Sequence, residues 1–496
     1  MKLRLSKEFV LKCLTLGLPV MVQNLTSFGG TNLVVAIIGT ISDNAISAYT
    51  IANESYSIYY MIALGLNGGF LVFISQLFAS KNLYKCNQLL RLGTKVILGV
   101  GFVFSFCMSI LSKQFVGLFT NDLEMIELSA SFLRLYSWSM MIYGVNALWS
   151  DLYIYTGKAK NAFYSSLTYI LTTLFFSLVL SKGLFGLPSL GLKSVAIAML
   201  IGRIFENIFL LFLLNKKDSI FKFKDKYPNL EMSELLKILK VSIPLISNEA
   251  VYSIAFLFIV KNLTYLGGNQ IACYTIVNNC KSLFFVVNYA MNPAIIEMAG
   301  RNLSLGKYDE AKENTDKVLL LIFYIHIIFA LLLYVLSPFI PGWFSISGQT
   351  ASICTKMLRF ETFEGLFVLI SNSLYNILKI GGDAKRVFAM DGLFSLACPM
   401  VLTFICAYWF KTSFYICWLA MESTYVLKTA LGMFFYIRGT WIKRLYWGDY
   451  RWELNWLMKI INTIKKQKDY TKLLFHLKKE DTMNCYLNAQ MVYRKY

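Results

Sequence analysis

Charged residues are scarce in this sequence. Of its 496 residues, 15% are charged and 57% are hydrophobic. A soluble globular domain carries about 25% charged residues, so this composition excludes an ordinary soluble fold. The chain is also far too long to be a single membrane span with short flanks, and we expect the hydrophobic residues to be divided among many spans.

Paired metal-ligating and catalytic residues are missing as well. The two histidines are His326 and His476, and the ten cysteines are scattered, mostly in apolar runs, without a CxxC pair. This pattern argues against a disulfide framework or a zinc site, and we expect buried thiols that pack as small hydrophobic groups. The sequence has no GxxxxGK[ST], HExxH or GxSxG motif, so we predict no enzyme activity and no cofactor.

The formal net charge of +20 does not indicate a nucleic-acid partner. Lys and Arg lie in the connectors between apolar runs and in a C-terminal tail, as membrane topology demands. No zinc-finger or RNP signature is present. The tail mixes apolar residues with many lysines, as interfacial helices do, and we predict that it binds anionic lipid on the cytoplasmic surface.

Apolar runs of about 20 residues recur along most of the chain, each long enough to cross a hydrocarbon core of about 30 Å. They are too long for barrel strands, and their backbone groups must be satisfied within the span, which predicts helices. No small-residue cleavage site follows the first run, so it is interpreted as a retained span. The sequence predicts an all-α polytopic membrane protein with twelve spans, at residues 13–38, 46–76, 92–112, 130–156, 162–185, 190–214, 240–260, 270–298, 317–338, 353–380, 386–410 and 412–437.

Connectors rich in Lys and Arg alternate with connectors that have few. Residues 81–95 are basic, for example, whereas residues 40–47 and 120–127 are not. By the positive-inside rule, we predict a multi-pass protein of the plasma membrane with both termini in the cytoplasm. The predicted units are an N-terminal six-helix bundle, a cytoplasmic linker, a C-terminal six-helix bundle and a basic tail, at residues 1–215, 216–240, 241–439 and 440–496.

The two predicted bundles are copies of each other. One ungapped offset of 225 residues carries Pro19 to Pro244, Tyr49 to Tyr274 and Arg134 to Arg359. Chance matches would scatter over many offsets. Because each half has an even number of spans, both halves insert the same way up, which predicts a parallel repeat with a substrate site near the midplane where the halves meet.

Several stretches resemble the multidrug and toxic compound extrusion (MATE) family. They are "LGLPVMVQNL", "SIPLISNEAVYSI", "MAGRNLSLGKYDEAKENT", "LYIYTGKAKNAF" and "LYNILKIGGDAKRVFAMD". The resemblance covers about residues 10–445. It implies a monomeric secondary antiporter that exports small organic compounds, often cationic or amphipathic, in exchange for H⁺ or Na⁺.

Two features depart from the family pattern. Members commonly carry an aspartate deep in span 1, near the position of Val34 or Val35, and members usually end soon after a segment like "TWIKRL". Two alternatives therefore stay open. One is a lipid-linked oligosaccharide flippase of the same superfamily, with a more cationic cavity for pyrophosphate. The other is a non-transporting membrane component whose tail binds a partner or anionic lipid.

Ionisable residues inside spans are the first candidates for function. Each costs about 2.5–3.5 kcal/mol on insertion scales, so it is expected to face the bundle interior and to have a partner. The resemblance implies that Glu249 in span 7 binds H⁺ or Na⁺. Lys281 in span 8 is predicted at the same depth, about 16 Å below the outer ends of these spans. We therefore predict an ion pair between Glu249 and Lys281.

Polar stripes run along two equivalent spans. In span 8 the stripe around Lys281 consists of Asn278, Phe285, Asn288 and Asn292. In span 2 it consists of Asn53, Tyr56, Tyr60 and Asn67, with Glu54 beside it. Such stripes on apolar helices form the wall of a wet cavity or hydrogen-bond neighbouring helices, and the sequence leaves both open.

Two pairs of charged residues are spaced to share a helix face. Arg203 and Glu206 in span 6 are three residues apart, which predicts a local ion pair, with a cavity role as the alternative. Glu361 and Glu364 in span 10 have the same spacing. Two neighbouring carboxylates suit proton carriage, and we favour this role for the deeper Glu364.

The remaining features are predicted to be structural. Asp391, early in span 11, is expected to cap the helix or to pair with Lys385 or Arg386. Gly65 and Gly69 form a GxxxG pattern that predicts close helix packing. The residues at the equivalent positions of the second half are Ala290 and Ala294.

Overall fold

The computed structural model describes residues 5–120, 122–186, 189–216, 232–266, 271–343 and 348–442. Within them the chain forms twelve long helical segments and no strand. Most of the predicted cytoplasmic linker and of the predicted basic tail lies outside these residues. The segments of the first half are α1 (Lys7–Gly39), α2 (Asp43–Ala79), α3 (Leu83–Ile110), α4 (Leu123–Tyr136 and Trp138–Tyr155), α5 (Ala159–Lys182) and α6 (Leu192–Leu214).

The second half repeats the pattern. Its segments are α7 (Met232–Leu266), α8 (Ile271–Ile295, continued by the π turn Ile296–Gly300 and by Arg301–Ser304), α9 (Tyr308–Leu336), α10 (Gly348–Ile380), α11 (Ala384–Trp409, which alternates α-helical and π turns) and α12 (Phe414–Ile437). Eight of the twelve are long and apolar enough to cross a membrane by length and composition. The other four are α4, α8, α10 and α12, which carry most of the buried charges. The predicted all-α membrane fold is confirmed.

Polar side chains cap the start of several helices. Ser6, Ser42, Asn82, Asp122 and Ser413 each accept a hydrogen bond from a backbone N–H in the first turn that follows. Such caps satisfy donors that have no partner within the helix. They explain why the helices begin several residues before the hydrophobic runs that predicted them.

The packing follows the repeat. Proline lies inside α1 and α7 at the same place, with Pro19 and Pro244 each twelve residues after the first helical residue. Helix α1 packs on α5 as α7 packs on α11, and α3 packs on α4 as α9 packs on α10. Between the halves, α1 contacts α8 and α2 contacts α7. The repeat converts the first contact into the second, so the halves are related by a pseudo-two-fold axis.

Glycines bring the halves into close contact. A Cβ atom on Gly17 would lie 2.1 Å from the backbone oxygen of Ala290, and one on Gly65 would lie 2.6 Å from the backbone nitrogen of Ile246. Gly69 stands one turn further along the same face of α2. The packing role predicted for Gly65 and Gly69 is therefore present, and their partner helix α7 belongs to the other half.

The halves meet at the side of the bundle that holds the N terminus. Cys13 Sγ lies 4.0 Å from Met298 Sδ across the junction. Nearby, Lys85 Nζ on α3 lies 2.7 Å from Glu234 Oε1 on α7. These residues lie near the first turns of α1, α3 and α7 and the end of α8, which are all on that side. The structure is thus closed there.

Reversing the charge of Lys85 is expected to favour opening at this junction. The two side chains are 22% and 20% exposed, and such a pair is worth about 1 kcal/mol. Lys85→Glu should therefore raise the population of the open state about fivefold. The measurement is the rate at which Cys13 reacts with a maleimide in membranes, followed by mass spectrometry, with the buried Cys417 as internal reference.

The charge swap Lys85→Glu with Glu234→Lys is the control. It should return the labelling rate of Cys13 to within about twofold of the wild-type rate, because the attraction is restored. An unchanged rate in the single variant, or a swap that labels as fast as the single variant, would show that the pair does not hold the junction closed.

Candidate functional site

Three carboxylates surround Lys281 inside the second half. The distances from Lys281 Nζ are 2.5 Å to Glu422 Oε2, 3.1 Å to Glu361 Oε1 and 3.4 Å to Glu364 Oε2. None of the four residues is more than 5% exposed. We call this group the Lys281 cluster. It unites α8, α10 and α12.

The helix packing explains why these residues meet. Helix α10 packs against both α8 and α12, and it presents Glu361 and Glu364 one turn apart on its buried face. Glu422 reaches the same point from α12. One turn further along α12, the ring of Tyr425 has its centroid 5.0 Å from Lys281 Nζ, which adds a cation–π contact.

The charges of the Lys281 cluster do not balance. One ammonium faces three carboxylates, so two negative charges are uncompensated when all groups are ionised. Glu361 Oε2 and Glu364 Oε1 are buried and have no hydrogen-bond partner among the described residues. One oxygen from each of the three carboxylates lies within 4.8 Å of the others, a spacing that suits a small cation or shared protons. Such charge is too costly to leave bare inside a membrane protein.

The predicted pair of Glu249 and Lys281 is wrong. Glu249 Oε1 instead accepts a hydrogen bond of 3.0 Å from the hydroxyl of Tyr375. Equal depth on consecutive spans was not sufficient, because α7 turns toward α2 and α11 while α8 turns toward α1 and α10. The lysine meets its counter-ions on helices that lie much later in the chain.

The partner predicted for Asp391 is also wrong. Its carboxylate forms an ion pair with Lys428 on α12. Neither Lys385 nor Arg386 pairs with it, and Arg386 lies 2.7 Å from Asp383. Lys428 points into the bundle and is 5% exposed, so it needs an internal counter-ion, whereas Arg386 lies at the helix start and is not fully buried.

The repeat extends to this hydrogen-bond network. Asn248 Nδ2 donates to Asp391 Oδ2 at 2.9 Å, and in the first half Gln23 Nε2 donates to Ser166 Oγ at 2.8 Å. The offset of 225 residues carries position 23 to 248 and position 166 to 391. The two halves therefore share a frame and differ in charge.

The first half contains the larger cavity, with a volume of about 650 Å³. We call it the tyrosine cavity. Amide side chains of Gln23, Asn24, Asn53 and Asn146 also line it. Its six tyrosines are Tyr49, Tyr56, Tyr60, Tyr136, Tyr143 and Tyr169.

Arg203 and Glu206 belong to the wall of the tyrosine cavity and pair with each other. Arg203 Nη1 lies 2.7 Å from Glu206 Oε2, and its guanidinium carbon lies 3.6 Å from the ring centroid of Tyr169. Asn146 Nδ2 donates a second hydrogen bond to Glu206 Oε2 at 2.9 Å. The arginine charge is therefore already balanced where it faces the cavity.

Rings in the first half take the place of charges in the second. The offset carries Tyr56 to Lys281 and Tyr136 to Glu361. The two tyrosine rings are stacked with centroids 4.5 Å apart. One site of the repeat frame thus holds an aromatic stack in one half and an ion pair in the other.

Asp151 on α4 also lines the tyrosine cavity. Its carboxylate makes no ion pair or side-chain hydrogen bond among the described residues. Val34, near the position where the resemblance leads us to expect an acid in span 1, lines the same cavity. The first half thus has an acidic group facing its cavity, supplied by α4 rather than α1.

The comparison with known families agrees with this geometry. The family model described as MatE matches residues 19–179 and 244–409. The two matched regions begin one repeat offset apart, at Pro19 and Pro244. The chain belongs to the MatE family. Members of this family are transporters, not enzymes, so the protein is a multi-pass membrane transporter.

Two bacterial MatE relatives span nearly the same length. The chain is 20% identical over 454 residues to the probable multidrug resistance protein YoeA of Bacillus subtilis, which covers 88% of this chain and 96% of that protein. It is 20% identical over 433 residues to the probable multidrug resistance protein NorM of Thermotoga maritima, covering 86% and 92%.

Solved structures share the MatE fold of this chain. An outward-facing multidrug resistance MATE transporter of the MOP superfamily superposes with a TM-score of 0.78 at 15% identity, covering 87% of this chain and 96% of that chain. A MOP superfamily transporter from Pyrococcus furiosus, described by the reverse polarity of its binding pocket, superposes with a TM-score of 0.77 at 15% identity and the same coverage. At this identity the likeness establishes the fold.

The predicted polar stripe of the first half divides between two roles in this MatE protein. Asn53, Tyr56 and Tyr60 line the tyrosine cavity. Asn67 is buried and donates a hydrogen bond of 3.3 Å to the carbonyl oxygen of Gly144. The cavity role predicted for Glu54 is wrong, because its side chain is exposed on another face of α2 and does not line the cavity.

The stripe of the second half is only partly described. Asn278 and Lys281 line a second cavity, of about 270 Å³, next to Glu422. Asn292 Oδ1 is buried and has no hydrogen-bond partner among the described residues. The side chains of Phe285 and Asn288 lie outside the described part of the chain.

Three charged positions were missed by sequence reasoning, namely Asp151, Glu422 and the partnership of Lys428. The signal was available for two of them, because Asp151 and Glu422 are isolated acids in apolar runs, and a membrane charge is a functional candidate by default. For Lys428, the offset identified Arg203 as its equivalent, but the partner of each differs between the halves.

Proposed function

We propose that this MatE protein is a secondary antiporter that exports small organic compounds, cationic or amphipathic, in exchange for H⁺ or Na⁺. The observation that carries the proposal is the Lys281 cluster. A buried group with two uncompensated negative charges must take up protons or a cation, and its charge state changes when the site opens to another solution. That property is what a coupling site requires.

The tyrosine cavity is the proposed substrate site. Six tyrosines offer aromatic faces, and organic cations bind such faces with about 0.5–2 kcal/mol per contact. Asp151 supplies a carboxylate without a cationic partner in ion-pair contact, while Arg203 is already paired with Glu206. A planar cationic or amphipathic compound matches this combination of rings and acid.

The flippase alternative is less well supported. Pyrophosphate would need unpaired cationic side chains in a cavity. Arg203 in the first cavity, and Lys281 and Lys428 in the second, all have carboxylate partners. The multidrug resistance names of the two bacterial relatives also favour drug export over lipid-linked sugars.

The closed junction suggests how the transporter is oriented in its cycle. We place the N terminus in the cytoplasm of a plasma-membrane protein that acts as a monomer, with the basic tail on anionic lipid. In that orientation the junction of the halves at Cys13 and Lys85 is the inner gate, and the structure is the state open to the outside.

Transport by proteoliposomes tests the proposal. A fluorescent organic cation should move against its gradient when a proton or Na⁺ gradient is imposed. Glu364→Gln should abolish that gradient-driven movement, because it removes one of the ionisable carboxylates. Asp151→Asn should raise the KM about tenfold with a smaller effect on kcat, because it weakens binding of the cation.

Glu310→Gln is the matched control, since Glu310 is exposed and pairs only with Lys307 in the described structure. It should transport at the wild-type rate. A wild-type protein that moves no cation under either gradient, or a Glu364→Gln variant that transports normally, would refute the antiport proposal.

A further inference from the structure

We infer that Lys281 sets the ion selectivity of the transporter: its ammonium occupies the place of a metal cation among the three carboxylates, so that the coupling ion is the proton. The inference rests on the proposed function and names its ion. It starts from the position of Nζ, which lies within 3.4 Å of an oxygen of each of Glu361, Glu364 and Glu422.

Geometry makes the ammonium and a metal cation mutually exclusive. The three carboxylates bring one oxygen each within 4.8 Å of the others, as hard cations such as Na⁺ require. Lys281 Nζ occupies the space between them and is 5% exposed as a residue. A second cation there would face a fixed positive charge at contact distance, in a medium that screens it weakly.

Protons are not excluded in the same way. A proton binds directly to a carboxylate oxygen and needs no room of its own. Glu361 Oε2 and Glu364 Oε1 are buried without hydrogen-bond partners among the described residues, so they are free to receive one. Two protons would cancel the charge that Lys281 leaves unbalanced.

Other ionisable groups surround the site and do not change this balance. Tyr274 and Tyr425 face it with neutral phenols. Cys280 lies on α8 one residue before the lysine. From α9, His326 bonds through Nε2 to the carbonyl oxygen of Thr362, away from the carboxylates. Lys428 is occupied by Asp391, and the two cancel each other.

The experiment is ²²Na⁺ binding to the purified full-length protein by scintillation proximity, which requires no transport. The wild-type protein should show no saturable Na⁺ binding. Lys281→Met combined with Glu422→Gln removes one positive and one negative charge, so the formal charge of the cluster stays the same while its tethered cation is lost. This variant should bind Na⁺ at least tenfold more tightly than wild type.

Three comparisons keep the result specific to the cluster. Adding Glu364→Gln to the double variant should abolish the gained binding. Lys428→Met with Asp391→Asn removes the other buried pair of the second half, and it should gain no Na⁺ binding. Lys281→Arg keeps a cation in the cluster, and it should bind no Na⁺ either. Each variant is first checked for a monodisperse peak and a cooperative thermal transition.

Saturable Na⁺ binding by wild type that Glu364→Gln abolishes would overturn the inference, and this measurement needs no Lys281 variant to fold. A folded Lys281→Met/Glu422→Gln protein that binds no Na⁺ would overturn it too. These outcomes are separate from the transport assay, because a protein that transports nothing but gains Na⁺ binding as expected would refute the antiport proposal and leave the role of Lys281 intact.

Discussion

Lys281→Met alone is expected to lower the free energy of unfolding by about 3–5 kcal/mol. The variant leaves three carboxylates together in a buried site with no counter-ion, and each of them is 2% exposed or less. Removing one partner of a buried charge group is costly chiefly because the others are stranded. The measurement is the equilibrium stability of the purified protein by steric trapping, compared with wild type.

Coupling within the cluster gives the sharper readout. Glu422 is the acid nearest to Lys281, at 2.5 Å, so Lys281→Met with Glu422→Gln should be more stable than the sum of the single effects by about 1–3 kcal/mol. Lys307→Met is the control. Lys307 is 53% exposed and pairs with Glu310 on the surface, so its loss should change stability by less than about 0.5 kcal/mol. A Lys281→Met protein as stable as wild type, or strictly additive effects, would show that the cluster is not held by its charges.

The membrane fold was predictable because its signals run along the chain. Apolar run length identified the spans, and a single offset of 225 residues identified the repeat, which the packing of α1 on α8 and α2 on α7 reproduces. The positions of Pro19 and Pro244 followed from the same offset. The breaks at Ser137 in α4 and at the π turns of α11 left no comparable mark on the hydrophobic pattern.

The partners of the buried charges were not predictable from depth alone. Depth fixes where a side chain lies along the membrane normal, but each residue turns the helix by about 100°, so the direction of the side chain depends on the packing of its helix. Glu249 and Lys281 were correctly treated as buried and wrongly treated as facing each other. Glu422 is 141 residues from Lys281 in the chain, and only the contacts among α8, α10 and α12 bring them together.

The repeat shows how the two halves acquired different chemistry on one frame. Stacked rings at Tyr56 and Tyr136 occupy the places of Lys281 and Glu361. The stack needs no charge balance and leaves an open cavity beside it, whereas the ion pair draws two further acids into the core. This difference supports the proposed division of labour, with organic substrate in the first half and coupling ion in the second.

Gly65→Leu is expected to open the junction between the halves. A Cβ atom at position 65 would lie 2.6 Å from both the nitrogen and the Cα of Ile246, so the obstacle is backbone that cannot turn away. Helices α2 and α7 must separate to admit a larger side chain. Overpacking of this kind costs about 1–3 kcal/mol in the closed state, which should raise the open population by about 5–150-fold.

The readout is again the rate of maleimide labelling of Cys13 in membranes. Cys13 is fully buried where α1 meets the second half, and Met298 covers its sulfur, so it becomes accessible when the halves part. Cys417 is buried within the second half alone and reports any general loosening. Faster labelling of Cys13 at an unchanged rate for Cys417 is the expected result.

Gly99→Leu is the matched control. Gly99 lies inside α3, as Gly65 lies inside α2, but a Cβ atom there would meet nothing within 4 Å. The gain in helix propensity is the same at both positions, so any difference between the variants comes from the contact with Ile246. If Gly99→Leu speeds the labelling of Cys13 as much as Gly65→Leu does, or if neither changes it, then the α2–α7 contact is not what keeps the halves closed on this side.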